Sequence, residues 1–310
     1  MKIAILGTGA IGGYIGGLLA HAGEDVSFIA RGETLSVIRE SGLTVQRVDE
    51  TFTVKPRIVT DDPSDVGVVN TIIVCVKADG LQNAAELVKP IVNDSTLIVP
   101  TQNGISASKY LSDILGKEKV IEGICNFNAQ VTRPGVISSR GNPPNFTMGE
   151  ADNTTTDRLL LLQSAFKNAG FNAVIPENIQ VALWTKLMGI SALAGIESIT
   201  RTSSETWRDI PSVKAMWIRS MEETQQVARS VGVDIPYKEI EDRIERLDRG
   251  RGGTTSMHKD IVGGRPSELE HQIGDIVRLA NKNNVTVVVN SFIYHSLLPQ
   301  EHIARKGNFS

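Results

Sequence analysis

The sequence predicts an α/β fold in two parts, a parallel sheet wrapped by helices followed by an all-helical region. Three observations predict it. The apolar run Lys2-Ile-Ala-Ile-Leu6 passes directly into Gly7-Thr-Gly9-Ala-Ile-Gly12, from which a helical pattern continues to residue 21. Apolar runs then alternate with helical patterns to about residue 175, the mark of βα units. Beyond Pro176 only helical periodicity remains. The division falls at 176, giving domains 1–176 and 177–310.

The opening motif has a physical reading at each glycine. Gly7 allows the tight turn after the strand, Gly9 lets a pyrophosphate approach bare backbone, and Gly12 lets the helix pack closely on the strand. Thr8, Ala10 and Ile11 complete the loop, and the unpaired N–H groups of the helix start hold phosphate. A Rossmann dinucleotide site is therefore expected at residues 7–12. Next come a second strand at 26–30 and a short helix at 33–41. Residues 43–48 and 51–59 read as a hairpin appended to the main sheet. The runs 71–76 and 96–100 are apolar throughout, as strands buried on both faces should be, with helices at 81–89 and 107–115. Residues 120–149, strand-like and rich in Gly and Pro, read as antiparallel strands finishing the sheet. A helix at 157–169 and a last strand at 172–175 complete the Rossmann domain. The helical domain reads as 179–196, 211–231, 237–248, 267–281 and 291–297.

Composition narrows the function classes. The chain has 310 residues and a formal net charge of -3, which gives nucleic acid or an anionic membrane no basic surface to bind. Lys2, the apolar run after it and the small residues up to Ala22 imitate a secretory leader, but three glycines would break such a helix. No other apolar run approaches the ~20 residues of a membrane span, so a soluble, cytoplasmic protein is expected. Cys75 and Cys125 form no disulfide framework or zinc spacing. The five histidines show no ligand spacing, so no metal is expected. His258 and His271 read as surface or packing residues. The partner expected is a small molecule, and a homodimer is the assembly allowed for.

The second strand ends Phe28-Ile29-Ala30-Arg31, with no acid for a ribose 2′-OH and an arginine suited to a 2′-phosphate. NADP(H) is the expected cofactor.

Further motifs recur in a specific order: Val76-Lys77-Ala78, Gln102-Asn103-Gly104, Trp184-Thr-Lys186, Thr255-Ser256-Met257, Asp260-Ile261, and Glu268-Leu-Glu270 with Gly274. With the opening motif and Arg31, this order resembles the ketopantoate reductases, NADPH-dependent enzymes that reduce a 2-keto acid to a D-2-hydroxy acid. The resemblance runs to about residue 275. It implies that Lys77 and Asn103 line the cofactor–substrate cleft, with Asn103 beside the nicotinamide. It implies Lys186 as the general acid, Ser256 as a contact of the substrate carboxylate and Glu268 as a contact of the hydroxyl. Read alone, Lys186 is a lysine snorkelling from a helix among Leu183, Trp184, Leu187 and Met188; with its stem buried among them, its pKa would be tuned towards neutrality.

The chain departs from that family at three amides. Asparagines usual four and eight residues after the lysine are Ile190 and Ala194, placed here as substrate contacts. The asparagine before the later glycine is Ile273. Ketopantoate, the precursor of pantoate in pantothenate biosynthesis, is the expected substrate. The alternatives are a relative of the D-2-hydroxyacid dehydrogenase kind for other branched or aromatic 2-keto acids, and a dinucleotide-binding sensor without chemistry. Residues 248–253 and 263–265 read as a hinged loop flanking Ser256, with Arg251 and Arg265 as solvated loop residues and a contact of either with the substrate carboxylate as the alternative.

Overall fold

The computed structural model describes residues 1–250 and 254–306, and the chain divides into two compact units. Met1–Gln102 and Ala107–Ile179 form the first, and Asn103–Ser106 and Gln180–Ser310 the second. The segment Asn103–Ser106 thus joins the helical unit, an excursion that a single boundary at 176 does not provide for.

The first unit runs β1 (Lys2–Leu6), α1 (Ala10–His21), β2 (Asp25–Ile29), α2 (Gly32–Ser41), β3 (Leu43–Gln46), β4 (Thr51–Val54), β5 (Ile58–Thr60) and β6 (Thr71–Val74). It continues with α3 (Leu81–Val88), β7 (Leu97–Pro100), α4 (Ala107–Leu115), β8 (Glu122–Arg133), β9 (Val136–Gly149), α5 (Asp157–Asn168) and β10 (Asn172–Val174). The main sheet is wholly parallel, in the order β5-β2-β1-β6-β7. Its strands are mostly apolar because both faces are covered, with the charged Lys2 and Asp25 confined to strand starts. Ile3, Ile5, Phe28, Ile73 and Val99 join one core, while Ala4, Leu6, Ile72, Val74 and Ile98 join another that includes residues of α3 and α4.

Three expectations are corrected here. The hairpin β3–β4 belongs to a second sheet, ordered β10-β9-β3-β4 with β8 on β9, and residues 120–149 build that sheet instead of finishing the first. Residues 51–59 are two strands, split at Lys55-Pro56-Arg57. Proline has no N–H for a ladder, and past it β5 pairs with β2 of the main sheet.

Helix α1 lies between these sheets, and its glycines explain how. A β-carbon at Gly16 would fall 2.5 Å from Phe28 and 2.7 Å from Ile5 of the main sheet. One at Gly13 would fall 2.7 Å from Ile137, and one at Gly17 2.5 Å from Val45, both of the second sheet. Residues four apart share a helix face, so Gly12 and Gly16 seat one sheet and Gly13 and Gly17 the other.

The second unit comprises α6 (Ile179–Thr200), α7 (Ser204–Trp207), α8 (Pro211–Ser230), α9 (Lys238–Asp248), α10 (Ser256–Val262), a π turn (Glu270–Gly274), α11 (Asp275–Lys282) and α12 (Val288–Lys306). Helix α10 stands where the sequence reads as loop. Helix α12 is longer than expected and passes through Pro299. The 22-residue α6 corrects a further expectation, since by length and composition it could cross a membrane. Its apolar surface is used internally: 61% of its most apolar window is buried, and Trp184, Leu187, Met188, Ala192 and Ile196 lie in the core of the unit.

Gly16→Ala weighs two opposed effects. Alanine gains about 1 kcal/mol of helix propensity, while overpacking a close contact costs about 1–3 kcal/mol. Phe28 and Ile5 are fully buried and cannot retreat, so net destabilisation in urea unfolding is expected. Gly9→Ala, with no atom within 4 Å of the new β-carbon, should leave stability within about 0.5 kcal/mol.

Candidate active site

In the first unit the opening motif forms the β1–α1 turn. Gly7 has φ +96°, a left-handed conformation that favours glycine. A β-carbon at Gly12 would fall 2.1 Å from the Gly7 carbonyl oxygen, so that position admits glycine alone. Gly9 caps α1 and is exposed, Ala10 and Ile11 are partly exposed, and Thr8 is buried with its hydroxyl 3.4 Å from the Ile29 carbonyl. The first intrahelical bond runs from Gly13 N–H to Gly9 O. The N–H groups before it form an anion-binding helix start. Exposed Arg31 follows β2 as the N-cap residue of α2, and exposed Lys77 follows β6. Both lie beyond the carboxyl ends of the two strands flanking β1, where open α/β sheets bind ligands. Together, the bare Gly9, the helix start and Arg31 fit a dinucleotide.

In the second unit α6 carries Lys186. Ala182, Lys186, Ile190 and Leu193 are partly exposed on α6, as is Thr185, while Leu183, Trp184, Leu187, Met188 and Gly189 are buried; the four have the spacing of one helical face. Ile190 is therefore on the lysine's face. Ala194 is not: it is fully buried in the hydrophobic core, so its placement as a substrate contact is corrected. Ile273 is also fully buried, its Cδ1 3.1 Å from a β-carbon built on Gly195. Aliphatic residues at these two positions seal the core.

Asn103 and Glu268, 165 residues apart in sequence, meet: the Asn103 amide donates to Glu268 Oε2 at 3.1 Å. Gly104 makes this possible. Its φ is +114°, and a β-carbon there would fall 2.4 Å from the His271 carbonyl oxygen. Ser106 holds the same segment by donating to Asp275 Oδ2 at 2.8 Å. A second amide, Gln272 Nε2, also donates to Glu268 Oε2, at 3.2 Å. Glu268 Oε1 accepts no hydrogen bond among the described residues. The half-buried carboxylate is thus fixed through one oxygen and offers the other. Sequence reading missed Gln272, and the signal was its spacing of four from Glu268 within one helical stretch.

Ser256 is exposed as the first residue of α10. Thr255 is the capping residue, accepting from His258 N at 3.3 Å. Its own N–H and hydroxyl both donate to Glu197 Oε2 at 3.0 Å. Glu197 stands on α6, fully buried, and burial raises its pKa against the pull of the Thr255 donors. His258 is buried beside it, a packing residue as expected. Arg265 is engaged by Asp260 at 2.9 Å and by the Lys259 carbonyl at 3.0 Å, which argues against its reading as a carboxylate contact. Arg251 lies outside the described residues.

One more basic group touches α6. Arg243 of α9 donates from Nη2 to the Thr185 carbonyl at 2.7 Å and lies over Gly189. The signal in the sequence was the glycine itself, since mid-helix glycine costs about 1 kcal/mol relative to alanine.

Residues 3–153 match the family described as ketopantoate reductase PanE/ApbA, and residues 178–301 match its C-terminal region. A 2-dehydropantoate 2-reductase of Pyrococcus abyssi is 28% identical over 99% of this chain and 100% of its own. A crystal structure of a PanE/ApbA family ketopantoate reductase from Ralstonia eutropha JMP134 superposes with a TM-score of 0.89 at 28% identity, covering 98% of this chain and 100% of that one. The fold is shared with a D-mandelate dehydrogenase in a ternary structure with NADH and anilino(oxo)acetate (TM-score 0.88, 22% identity, covering 98% of this chain and 99% of that one).

Glu197 yields a pH prediction. Its folded pKa is raised above the ordinary 4.5, so the folded state keeps a proton that the unfolded chain releases. That contribution is complete below about pH 4.5 and is lost as pH rises through the folded value. Glu197→Gln removes the ionisation while keeping an acceptor for Thr255. Its stability relative to the parent protein, followed by urea unfolding, should therefore rise between pH 4.5 and 7. A difference independent of pH would mean that Glu197 ionises in the folded protein as it does in water.

Proposed function

The chain belongs to the ketopantoate reductase family, and from that premise we propose that it reduces a 2-keto acid to a D-2-hydroxy acid with NADPH. The family fixes the reaction class, an oxidoreduction at a CH–OH carbon. The observation that carries the finer reading is the meeting of Asn103 and Glu268, in a chain that also presents Lys186 on a partly exposed helix face.

Residues 7–12 and Arg31 hold the dinucleotide: the helix start takes the pyrophosphate, Gly9 gives it bare backbone, and the Arg31 guanidinium takes the 2′-phosphate. When bound, NADPH supplies the hydride for the carbonyl carbon. Lys186 Nζ gives a proton to the carbonyl oxygen as that oxygen becomes a hydroxyl. Glu268 Oε1 accepts a hydrogen bond from the same hydroxyl, while Asn103 and Gln272 keep the carboxylate from rotating. Ser256 meets the carboxylate end of the substrate.

Ketopantoate is the substrate named by the family, and Ile190 favours a broader choice. An amide that binds a substrate hydroxyl rejects analogues lacking it, because it is then left unpaired. An isoleucine applies no such penalty and gains roughly 0.8 kcal/mol per methylene buried against it. Apolar branched 2-keto acids should therefore be accepted.

The test is NADPH oxidation with ketopantoate and 2-ketoisovalerate side by side. The expected kcat/KM values lie within about tenfold of each other, with NADH at least about tenfold poorer, as losing a charged contact of 1.5–3 kcal/mol implies. A ketopantoate preference near a thousandfold would restrict the protein to that substrate. Inactivity on every 2-keto acid would leave only dinucleotide binding. Lys186→Ala should lower kcat by about 10²- to 10⁴-fold with NADPH affinity retained. Turnover within about threefold of the parent would assign the proton to another group.

A further inference from the structure

We propose that Arg243 is the anchor for the carboxylate of the 2-keto acid, an inference that rests on the reductase reading and gives its substrate pocket a cationic end.

Position is the first support. The guanidinium lies against α6 at Gly189: a β-carbon built there would fall 2.1 Å from Nη1, 2.2 Å from Cζ and 2.5 Å from Nε. Those three distances place the group in the space that a side chain at Gly189 would take. Gly189 is three residues beyond Lys186 and adjacent to Ile190, and residues three apart are neighbours on a helix surface. The cation is therefore held one helical turn from the lysine, beside the partly exposed strip.

Satisfaction of its donors is the second. A guanidinium has five N–H groups. Here one bond goes to the Thr185 carbonyl, and Nε is buried with no partner. Among the described residues no carboxylate forms an ion pair with Arg243. Other arginines of this unit are paired: Arg265 with Asp260, Arg278 with Glu270 and Asp275, and Arg305 with Glu301. Burial draws the Arg243 pKa down, opposed by Glu239 and assisted by Arg246. A partly buried cation without an anion is unfavourable unless a ligand completes it. A planar fork matches a carboxylate through two parallel hydrogen bonds.

Gly189 gives the third. Any side chain there would lift the guanidinium away, so the mid-helix glycine and the arginine explain each other.

The test measures 2-ketoisovalerate in two ways, by calorimetric Kd and by steady-state KM, against its neutral methyl ester. Arg243→Met should raise Kd and KM for the acid by about 10- to 100-fold, the range of a charged hydrogen bond. Turnover of the ester and the Kd for NADPH should stay within about threefold. Arg243→Lys, which keeps the charge without the fork, should lose less than Arg243→Met. Gly189→Ala keeps the arginine but displaces it, and since alanine is the better helix former the variant should fold and shift KM in the same direction. Acid KM within about threefold of the parent in both Arg243→Met and Gly189→Ala would overturn the proposal, as would equal losses for acid and ester. If the parent protein reduces no 2-keto acid, the reductase reading fails, and calorimetry with the acid still decides whether Arg243 binds a carboxylate.

Discussion

The helical unit depends on buried carboxylates that receive backbone N–H groups from other elements. Glu197, Glu223 and Glu301 are 0%, 0% and 2% exposed, so each must find its hydrogen bonds inside the protein. Glu197 takes the N–H and hydroxyl of Thr255 before α10. Glu223 takes the N–H groups of Val289 and Asn290 at the start of α12, each at 3.0 Å. Glu301 takes the N–H and hydroxyl of Ser267, immediately before Glu268. A helix start leaves donors without intrahelical partners, and a carboxylate answers both their hydrogen bonds and their positive end. Two of the three glutamates thereby fix residues next to the candidate site, Ser256 and Glu268. The polar groups proposed for chemistry are thus positioned from the interior outward.

The sheet-bearing unit solves a different problem. It must place a helix between two sheets while leaving that helix's first turn open to solvent. Small residues at two adjacent rows of α1 bring both sheets close, and the same composition at the first turn leaves its backbone bare. Packing and phosphate binding therefore draw on one glycine-rich stretch.

Much of this was legible in the sequence where a local pattern decides the outcome. The strand–glycine–helix start, the apolar runs of β6 and β7, and the helical periodicity after Pro176 all specify their elements without help from distant residues. The destination of the hairpin β3–β4 was not legible, because its alternation fits either sheet and only the partner strand β9 settles it. Helix α10 was hidden among glycines, and its cap works through Glu197, 58 residues away. At the site, Asn103, Lys186 and Glu268 stood out by motif, and their neighbours did not. Ala194 and Ile190 look equivalent at a spacing of four, yet the drift of the helix buries the first completely and leaves the second partly exposed. Gln272 meets Glu268 and Arg243 meets α6 through contacts that no spacing from the lysine reveals.

The π turn between Glu268 and α11 has a consequence for how this protein tolerates change of length. Gly274 N–H bonds back to the Leu269 carbonyl, five residues earlier, so one residue more than an α-helix needs is held in that turn. Deleting a single residue from 270–273 would leave a regular α-helix and a well-formed α11. It would also rotate Glu268 by about 100° relative to α11, the step of one residue at 3.6 per turn. Ser106 holds the Asn103 segment on the far side of that step, against Asp275. With Glu270 as the residue removed, the carboxylate would then leave the Asn103 amide although Asn103, Glu268 and Gln272 are all retained. Substitution and deletion therefore act on different quantities here, the first on chemistry and the second on phase.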